Sequence, residues 1–189
     1  MNSLDIIGLG EIVSKLKHLK RTGWTKWSEI TEVETVACHM YRMAIFSMSL
    51  GEIRKDLDIN KVIKISLVHD LAEALVGDIT PYCGVSETDK FNLEKSGFQK
   101  IMEYLPKDTA DEWYNYWLEY ENQSTPEAKC VKQLDKYDMI AQAFTYEKEY
   151  KIDLSDFFNS TKESFTEYPF NEWNETLRNK RNEYKKIII

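Results

Sequence analysis

The sequence predicts an all-α protein that folds as a single-domain helical bundle. Seven glycines and four prolines among 189 residues offer few points at which helices would be interrupted. Apolar residues recur at intervals of three and four, and the alternation typical of strands is hard to find. A chain of this length can bury about 70% of its unfolded surface in one domain, so we expect one domain over residues 1–189.

Six helices are predicted before residue 151, and one or two amphipathic helices after residue 154. The six span approximately residues 3–20, 34–51, 61–76, 89–105, 108–120 and 126–150. The first is amphipathic, although Gly8 and Gly10 weaken its first half. A turn at Thr22 and Gly23 follows it. In the second helix, His39 lies beside the apolar stripe, so its imidazole is expected to face the core.

The third predicted helix, KVIKISLVHDLAEALV, is the segment in which the sequence most clearly combines burial with ligand-type residues. Apolar residues cover nearly its whole circumference, which indicates a buried helix. It nevertheless carries His69, Asp70 and Glu73 within about one turn. Burying an ionised carboxylate costs several kcal/mol unless it is paired or binds a metal, so cation coordination is the simplest explanation. Gly77 and Pro81 are expected to end this helix.

The remaining helix boundaries follow from capping residues and prolines. Ser86, three residues before Asp89, is typical of a helix start, and Pro106 separates the fourth and fifth helices. Pro126 is expected in the first turn of the sixth helix, directly after Ser124 and Thr125. Asp58 or Asn60 can cap the third helix.

Composition limits the partners that this chain can have. A formal net charge of −7 and a pI of about 5.1 disfavour duplex nucleic acid and membrane surfaces, while a small anionic substrate remains compatible. No apolar run approaches the roughly 18 residues of a membrane span. The three cysteines form no C-x-x-C pattern, which argues against disulfides and thiolate zinc sites. Without a recognisable secretory signal, the expected location is the cytoplasm, with the nucleus as the alternative.

Four residues on three helices combine ligand chemistry with an inward-facing position: His39, His69, Asp70 and Asp135. Two imidazoles and two carboxylates suit a divalent ion such as Mn, Fe, Co or Zn, with positions left for water. A metal-bound water has its pKa lowered from about 15.7 towards 7 to 9, which suits phosphate-ester hydrolysis. The alternative for each residue alone is structural, because a single core histidine or helix aspartate is usually not a ligand.

Three segments in order, ETVACHMYRMA, LVHDLAEALVGDITP and VKQLDKYDMIAQAFTYE, resemble the HD-domain metal-dependent phosphohydrolases, in their five-prime deoxynucleotidase branch. The resemblance runs from about residue 16 to 150 and implies an HD-type helical bundle, with residues 151–189 as a C-terminal helical extension. It implies that His39, His69, Asp70 and Asp135 are metal ligands. It also implies a homodimer and hydrolysis of deoxyribonucleoside five-prime monophosphates to deoxynucleoside and phosphate.

The same resemblance assigns further roles. Glu73 and Asp78 match acidic residues needed for catalysis, and with the Ile79 carbonyl they are candidate ligands of a second cation. Arg21 matches a phosphate-binding arginine, which its planar, bidentate guanidinium suits. Apart from the resemblance, the position of Trp24 near a loop makes it a candidate for stacking on the base, with packing as the alternative. The metal is expected to be Mn, Co, Fe, Zn or Mg, and its identity stays open.

One position departs from the family pattern. Cys38 precedes the first histidine, where the family usually has Asp or Glu, and the loss of that acid could weaken metal affinity or change metal choice. Two alternatives therefore stay open beside the nucleotidase. One is an HD phosphohydrolase acting on another phosphate, such as a cyclic nucleotide or an alarmone. The other is a nucleotide-binding protein with weak catalysis.

Overall fold

Capping side chains set where most of the helices begin. The computed structural model describes residues 4–188, with side chains through residue 187. Side-chain oxygens accept hydrogen bonds from first-turn backbone amides at Asp5, Thr35, Asp58, Ser86 and Thr125. The expected helix starts at Ser86 and after Thr125 are confirmed, and Asp58, rather than Asn60, caps the third helix.

Helices account for most of the described chain. Their bounds are α1 Ile6–Leu16, α2 Val36–Ser49, α3 Ile59–Val68, α4 Glu73–Val76, α5 Glu87–Met102, α6 Lys107–Asn122, α7 Pro126–Tyr150, α8 Ser155–Ser160 and α9 Phe170–Ile188. Short 3-10 turns lie at Thr22–Trp24 and Pro81–Cys83. Between residues 4 and 188 there is no strand, only an isolated bridge between Lys20 and Thr35. The predicted all-α class is confirmed.

The predicted continuous helix over residues 61–76 is wrong, because the chain leaves the α-helix after Val68. Successive backbone bonds from residues 71, 73, 74 and 75 reach back only three residues, as in a 3-10 turn. In an α-helix the Ser66 carbonyl would accept the Asp70 amide, but here it accepts His69 Nδ1 at 3.0 Å. The side chain of His69 therefore interrupts the helical ladder at the position where the ligand-type residues lie.

Two apolar clusters fill the interior, and α2 and α3 contribute to both. Met43 and Ile65 belong to the cluster around α7, whereas Met40 and Val68 belong to the cluster formed with α1, α5 and α6. The helices α2, α3 and α7 contact one another, and α8 and α9 pack on α7. The ligand-type residues of α2 and α3 thus lie close to the boundary between two well-packed regions.

No helix in the described part of the chain is both long enough and apolar enough to cross a membrane.

Candidate metal centre

The four ligand-type residues predicted from the sequence meet at one point. His39 comes from α2, His69 and Asp70 from the end of α3, and Asp135 from α7. His39 Nε2 lies 3.4 Å from Asp135 Oδ1 and 3.7 Å from Asp70 Oδ2. His69 Nε2 lies 3.2 Å from the same Asp70 oxygen. Three separate stretches of sequence therefore place two imidazoles and two carboxylates around a common volume.

Each histidine directs its Nε2 atom towards this volume. A carbonyl can only accept, so the bond between His69 Nδ1 and the Ser66 carbonyl puts a proton on Nδ1. His39 Nδ1 lies 2.7 Å from Asp138 Oδ2, which holds its proton in the same way. Among the described residues neither Nε2 atom has a hydrogen-bond partner, although both are buried. Buried polar atoms rarely stay unpaired, so this donor set fits a divalent cation.

Electrostatics favour the charged forms of both carboxylates. Burial opposes ionisation of Asp70 and Asp135, but the histidines and Arg21 outweigh it and lower the pKa of both groups. Burial and Arg21 oppose protonation of His39, whereas Asp135 and Asp138 raise its pKa to about 9. Binding of a cation at this point therefore requires His39 to release a proton from Nε2.

Asp138 is a site residue that sequence reasoning missed. Its carboxylate is fully buried and bonds both His39 and Arg42, the latter with Nη2 at 2.8 Å from Oδ2. Burial raises the pKa of Asp138, but these hydrogen bonds hold it below its usual value. A signal was present in the sequence, because Asp138 follows Val131 and Leu134 on the apolar stripe of α7, where an acid needs a partner.

The unusual residue before His39 does not face the site. Cys38 is exposed on α2, and the carboxylate that contacts His39 Nδ1 comes from Asp138 on α7. His39 is therefore contacted by Asp138, 99 positions away in the sequence, although the family pattern places an acid directly before this histidine.

Arg21 lies between the carboxylates. Its Nη1 is 3.5 Å from Asp70 Oδ2, and its Nη2 is 3.9 Å from Asp135 Oδ1. Burial lowers the pKa of the guanidinium, but Asp135, Asp70 and Asp78 outweigh it and raise that pKa. The group is thus a fixed positive charge next to the imidazoles, in a position to contact an anion.

The two other predicted acids line the same volume. Glu73 is 5% exposed, and its Oε2 has no hydrogen-bond partner in the part of the chain that the structure describes. Burial, with Asp70 and Asp78 nearby, raises its pKa. Asp78 Oδ2 accepts the Thr22 amide at 2.7 Å, and the Asp78 carbonyl accepts the Thr22 hydroxyl at 2.8 Å. These bonds tie the segment after α4 to the segment that carries Arg21.

A cleft of about 740 Å³ opens over these groups, which is within the usual size range for small-molecule sites. Its lining includes six predicted site residues: Arg21, Asp70, Glu73, Asp78, Ile79 and Asp135. The α5 side contributes Lys90, Phe91 and Glu94, and the α6 and α7 side contributes Tyr120 and Lys132. The cleft therefore combines cations, acids and two aromatic rings, and it meets the candidate metal centre at Asp70 and Asp135, whereas the buried His39 and His69 do not line it.

The expectation that Trp24 stacks on a base is corrected by the structure. Trp24 is 1% exposed, and its ring packs against Phe157 at 4.3 Å and Tyr146 at 5.4 Å. Its indole N–H donates to Glu34 Oε1 at 2.9 Å. With 1% of its surface exposed, two rings packed against it and its N–H bonded, Trp24 is a core residue, as the packing alternative stated.

The fold and the site together define a class: an all-α protein in which two buried histidines meet two aspartates that line a polar cleft. The sequence profile of the HD domain matches residues 13–173, and the chain belongs to the HD-domain family. The predicted family resemblance is thereby confirmed.

The chain is 44% identical over 166 residues to 5'-deoxynucleotidase HDDC2 of Dictyostelium discoideum, covering 82% of this chain and 87% of that protein. It is 42% identical over 156 residues to 5'-deoxynucleotidase HDDC2 of Homo sapiens, covering 82% and 75%. Among solved structures, the PH0347 protein from Pyrococcus horikoshii OT3 superposes with a TM-score of 0.76 and 30% identity, over 93% of this chain and 98% of that one.

Proposed function

We propose that this protein is a metal-dependent five-prime deoxynucleotidase, which hydrolyses deoxyribonucleoside five-prime monophosphates to deoxynucleoside and phosphate. The observation that carries the proposal is the pair of buried Nε2 atoms of His39 and His69, both unpartnered among residues 4–188 and both beside Asp70. The names of the relatives supply the reaction, and the cleft above the histidines offers room for a nucleotide.

His39, His69, Asp70 and Asp135 would hold one divalent cation, and Mn, Co, Fe, Zn and Mg are the candidates. Glu73, Asp78 and the Ile79 carbonyl are candidate ligands of a second cation. When bound, such a cation would supply a water of lowered pKa and polarise a phosphoryl oxygen. Ligand atoms of His39, His69 and Asp70 lie within 4.8 Å of one another, and this mixed nitrogen and oxygen donor set supports the assignment of the first cation.

The chain's own groups account for the rest of the chemistry. Arg21 would contact phosphate oxygens with two of its N–H groups, as a planar guanidinium does. Burial raises the pKa of Glu73, which favours its protonated form in the absence of a second cation, and in that form the carboxyl group would donate a proton to the leaving five-prime oxygen. Asp78, held by the two Thr22 bonds, would orient the nucleotide or the second cation at the mouth.

The direct test is phosphate release from deoxyribonucleoside and ribonucleoside five-prime monophosphates. Protein stripped of metal would be assayed alone and after addition of Mn, Co, Zn or Mg, with Asp135→Ala and a surface control, Asp111→Ala, alongside. We expect release that needs added metal, favours the deoxy series, and disappears in Asp135→Ala but not in Asp111→Ala. Full activity without metal would contradict the proposal, and silence on every substrate would favour a nucleotide-binding role.

We also propose a homodimer of single-domain chains, residues 1–189, in which residues 151–189 extend the HD core. Tyr41, Ile45 and Met48 support a dimer surface, because they are exposed at intervals of four and three along α2. Light scattering should then give twice the 22.3 kDa of one chain. Three free thiols support a cytoplasmic location, with the nucleus as the alternative.

A further inference from the structure

Tyr120, near the end of α6, touches two of the four proposed ligands. Its hydroxyl donates to Asp135 Oδ2 at 3.1 Å, and its ring centroid lies 4.7 Å from that of His69. The residue is 5% exposed, and it also lines the cleft. Among the described residues, no other hydroxyl donates a hydrogen bond to the side chain of His39, His69, Asp70 or Asp135.

The direction of this hydrogen bond is fixed by a third group. Lys132 Nζ lies 3.2 Å from the Tyr120 oxygen, and an ammonium can only donate. The phenolic oxygen therefore accepts from Lys132 and directs its own proton to Asp135 Oδ2.

This arrangement makes the two oxygens of Asp135 unequal. Oδ2 accepts the Tyr120 hydroxyl, whereas Oδ1 lies 3.4 Å from His39 Nε2 and faces the common volume. Without the hydroxyl, the carboxylate is free to rotate about its last torsion and exchange the two oxygens. The phenol thus restricts the orientation of a side chain that comes from another helix.

We infer that Tyr120 is a positioning residue of the metal centre, which holds Asp135 with Oδ1 turned towards the cation position. The inference rests on the proposed function, since it needs Asp135 to be a ligand. Partners that orient metal ligands are worth about 10- to 100-fold in metal affinity. If Tyr120 only filled space, a phenylalanine ring of the same shape would do equally well.

The chain provides a matched control on the same helix. Tyr116 lies one turn before Tyr120, and its hydroxyl donates to Glu112 at 2.8 Å near the surface, away from the site. Tyr116→Phe and Tyr120→Phe each remove one hydroxyl and keep the ring. A general effect of losing a tyrosine hydroxyl from α6 would therefore appear in both variants, and an effect on the site only in Tyr120→Phe.

The experiment measures the Kd for Mn²⁺ by calorimetry on metal-stripped full-length protein, together with the melting temperature of the metal-free form. We expect Tyr120→Phe to raise the Kd about 10-fold or more and Tyr116→Phe to change it less than about 2-fold. We also expect added Mn²⁺ to restore much of the lost phosphatase rate in Tyr120→Phe, because the defect lies in binding.

Equal Kd values for wild type and Tyr120→Phe would overturn the inference and leave the proposed function intact. A weakened Kd in both variants, in step with lowered melting temperatures, would overturn it too, since the effect would be one of stability. If wild type itself binds no divalent cation, the proposed function fails first and the inference fails with it.

Discussion

Asp138 lies 99 positions after His39 in the sequence, and its carboxylate orients the imidazole by accepting a hydrogen bond from His39 Nδ1. Asp138→Asn removes the negative charge and leaves one acceptor oxygen in place of two. The amide therefore loses either the bond from Arg42 Nε to Oδ1 or the bonds from His39 Nδ1 and Arg42 Nη2 to Oδ2. We expect the affinity for Mn²⁺ to fall about 10- to 100-fold, measured by calorimetry.

The control for Asp138 is the residue next to His39. Cys38→Ser should leave the Mn²⁺ affinity within about 2-fold of wild type, because the Cys38 side chain is exposed and His39 Nδ1 is already bonded. A larger loss in Cys38→Ser than in Asp138→Asn would show that position 38 supports the site in a way that these contacts do not explain.

Glu94 provides a test of pH dependence at a single carboxyl. Burial raises its pKa to about 7, with Lys90 opposing and Glu121 and Asp70 adding to the effect. Between its ordinary pKa of 4.5 and about 7 the folded protein keeps a proton that the unfolded chain releases, so the free energy of unfolding falls as pH rises.

Glu94→Gln removes this dependence. We expect the free energy of unfolding of Glu94→Gln minus that of wild type to increase from about pH 5 to about pH 8, by up to about 3 kcal/mol, because only wild type loses stability as Glu94 ionises. Urea denaturation of the metal-free protein across that range measures it. A difference that does not change with pH would mean that Glu94 titrates normally.

At the residue scale, the sequence indicated which side chains would meet where a polar residue interrupts an apolar helix face. His39, His69 and Asp70 are polar residues on apolar helices, and the structure brings them together with Asp135. Trp24 was ambiguous because the rings that cover it lie more than 120 positions away in the chain. The partners of Tyr120 and Asp138 come from other helices, so a local pattern can mark Asp138 as a buried acid but cannot show what either side chain contacts.

At the scale of single helices, a helix boundary could be predicted where residues close to it in the sequence determine it. Caps act within three residues, so the starts at Ser86 and Thr125 were readable from the sequence. At the break after Val68, the Ser66 carbonyl accepts His69 Nδ1 in place of the Asp70 amide, a side-chain contact that helical periodicity cannot predict. The apolar pattern of residues 61–76 suits one helix, and the structure divides it at this contact.

The two glycines of α1 have different roles that substitution can separate. A Cβ at Gly8 would lie 2.4 Å from the Tyr104 ring and 2.8 Å from Asp5 Oδ2, whereas a Cβ at Gly10 meets nothing within 4 Å. Gly10→Ala should therefore stabilise the protein by about 0.5–1 kcal/mol through helix propensity.

Gly8→Ala, in contrast, should destabilise by about 1–3 kcal/mol, since α1 must move away from Tyr104 or the cap at Asp5 must shift. Thermal and urea denaturation of both variants measure the two effects. If Gly8→Ala were as stable as Gly10→Ala, α1 would not be packed against the Tyr104 ring in solution.

At the scale of the whole molecule, the C-terminal helix is attached to the bundle by a buried ion pair. Arg181 on α9 donates from Nε and Nη2 to Glu147 on α7 at 2.6 and 2.7 Å, and the two residues are 8% and 2% exposed. Glu147 also accepts the Leu154 amide at 2.9 Å. The guanidinium lies 3.9 Å above the Phe158 ring, so one cluster joins α7, α8 and α9.

Breaking such a pair leaves one charge buried without its partner. Arg181→Met should lower the free energy of unfolding by about 3 kcal/mol, with Lys185, 3.7 Å from Glu147, compensating in part. The double variant Arg181→Met with Glu147→Gln should recover part of this loss, because the amide keeps an acceptor for Leu154 without a buried charge.

Urea denaturation of both single variants, the double variant and wild type gives the coupling energy. The affinity for Mn²⁺ should stay unchanged in all four, since the cluster lies outside the cleft. A loss below about 1 kcal/mol in Arg181→Met would show that α9 is held by its apolar contacts alone.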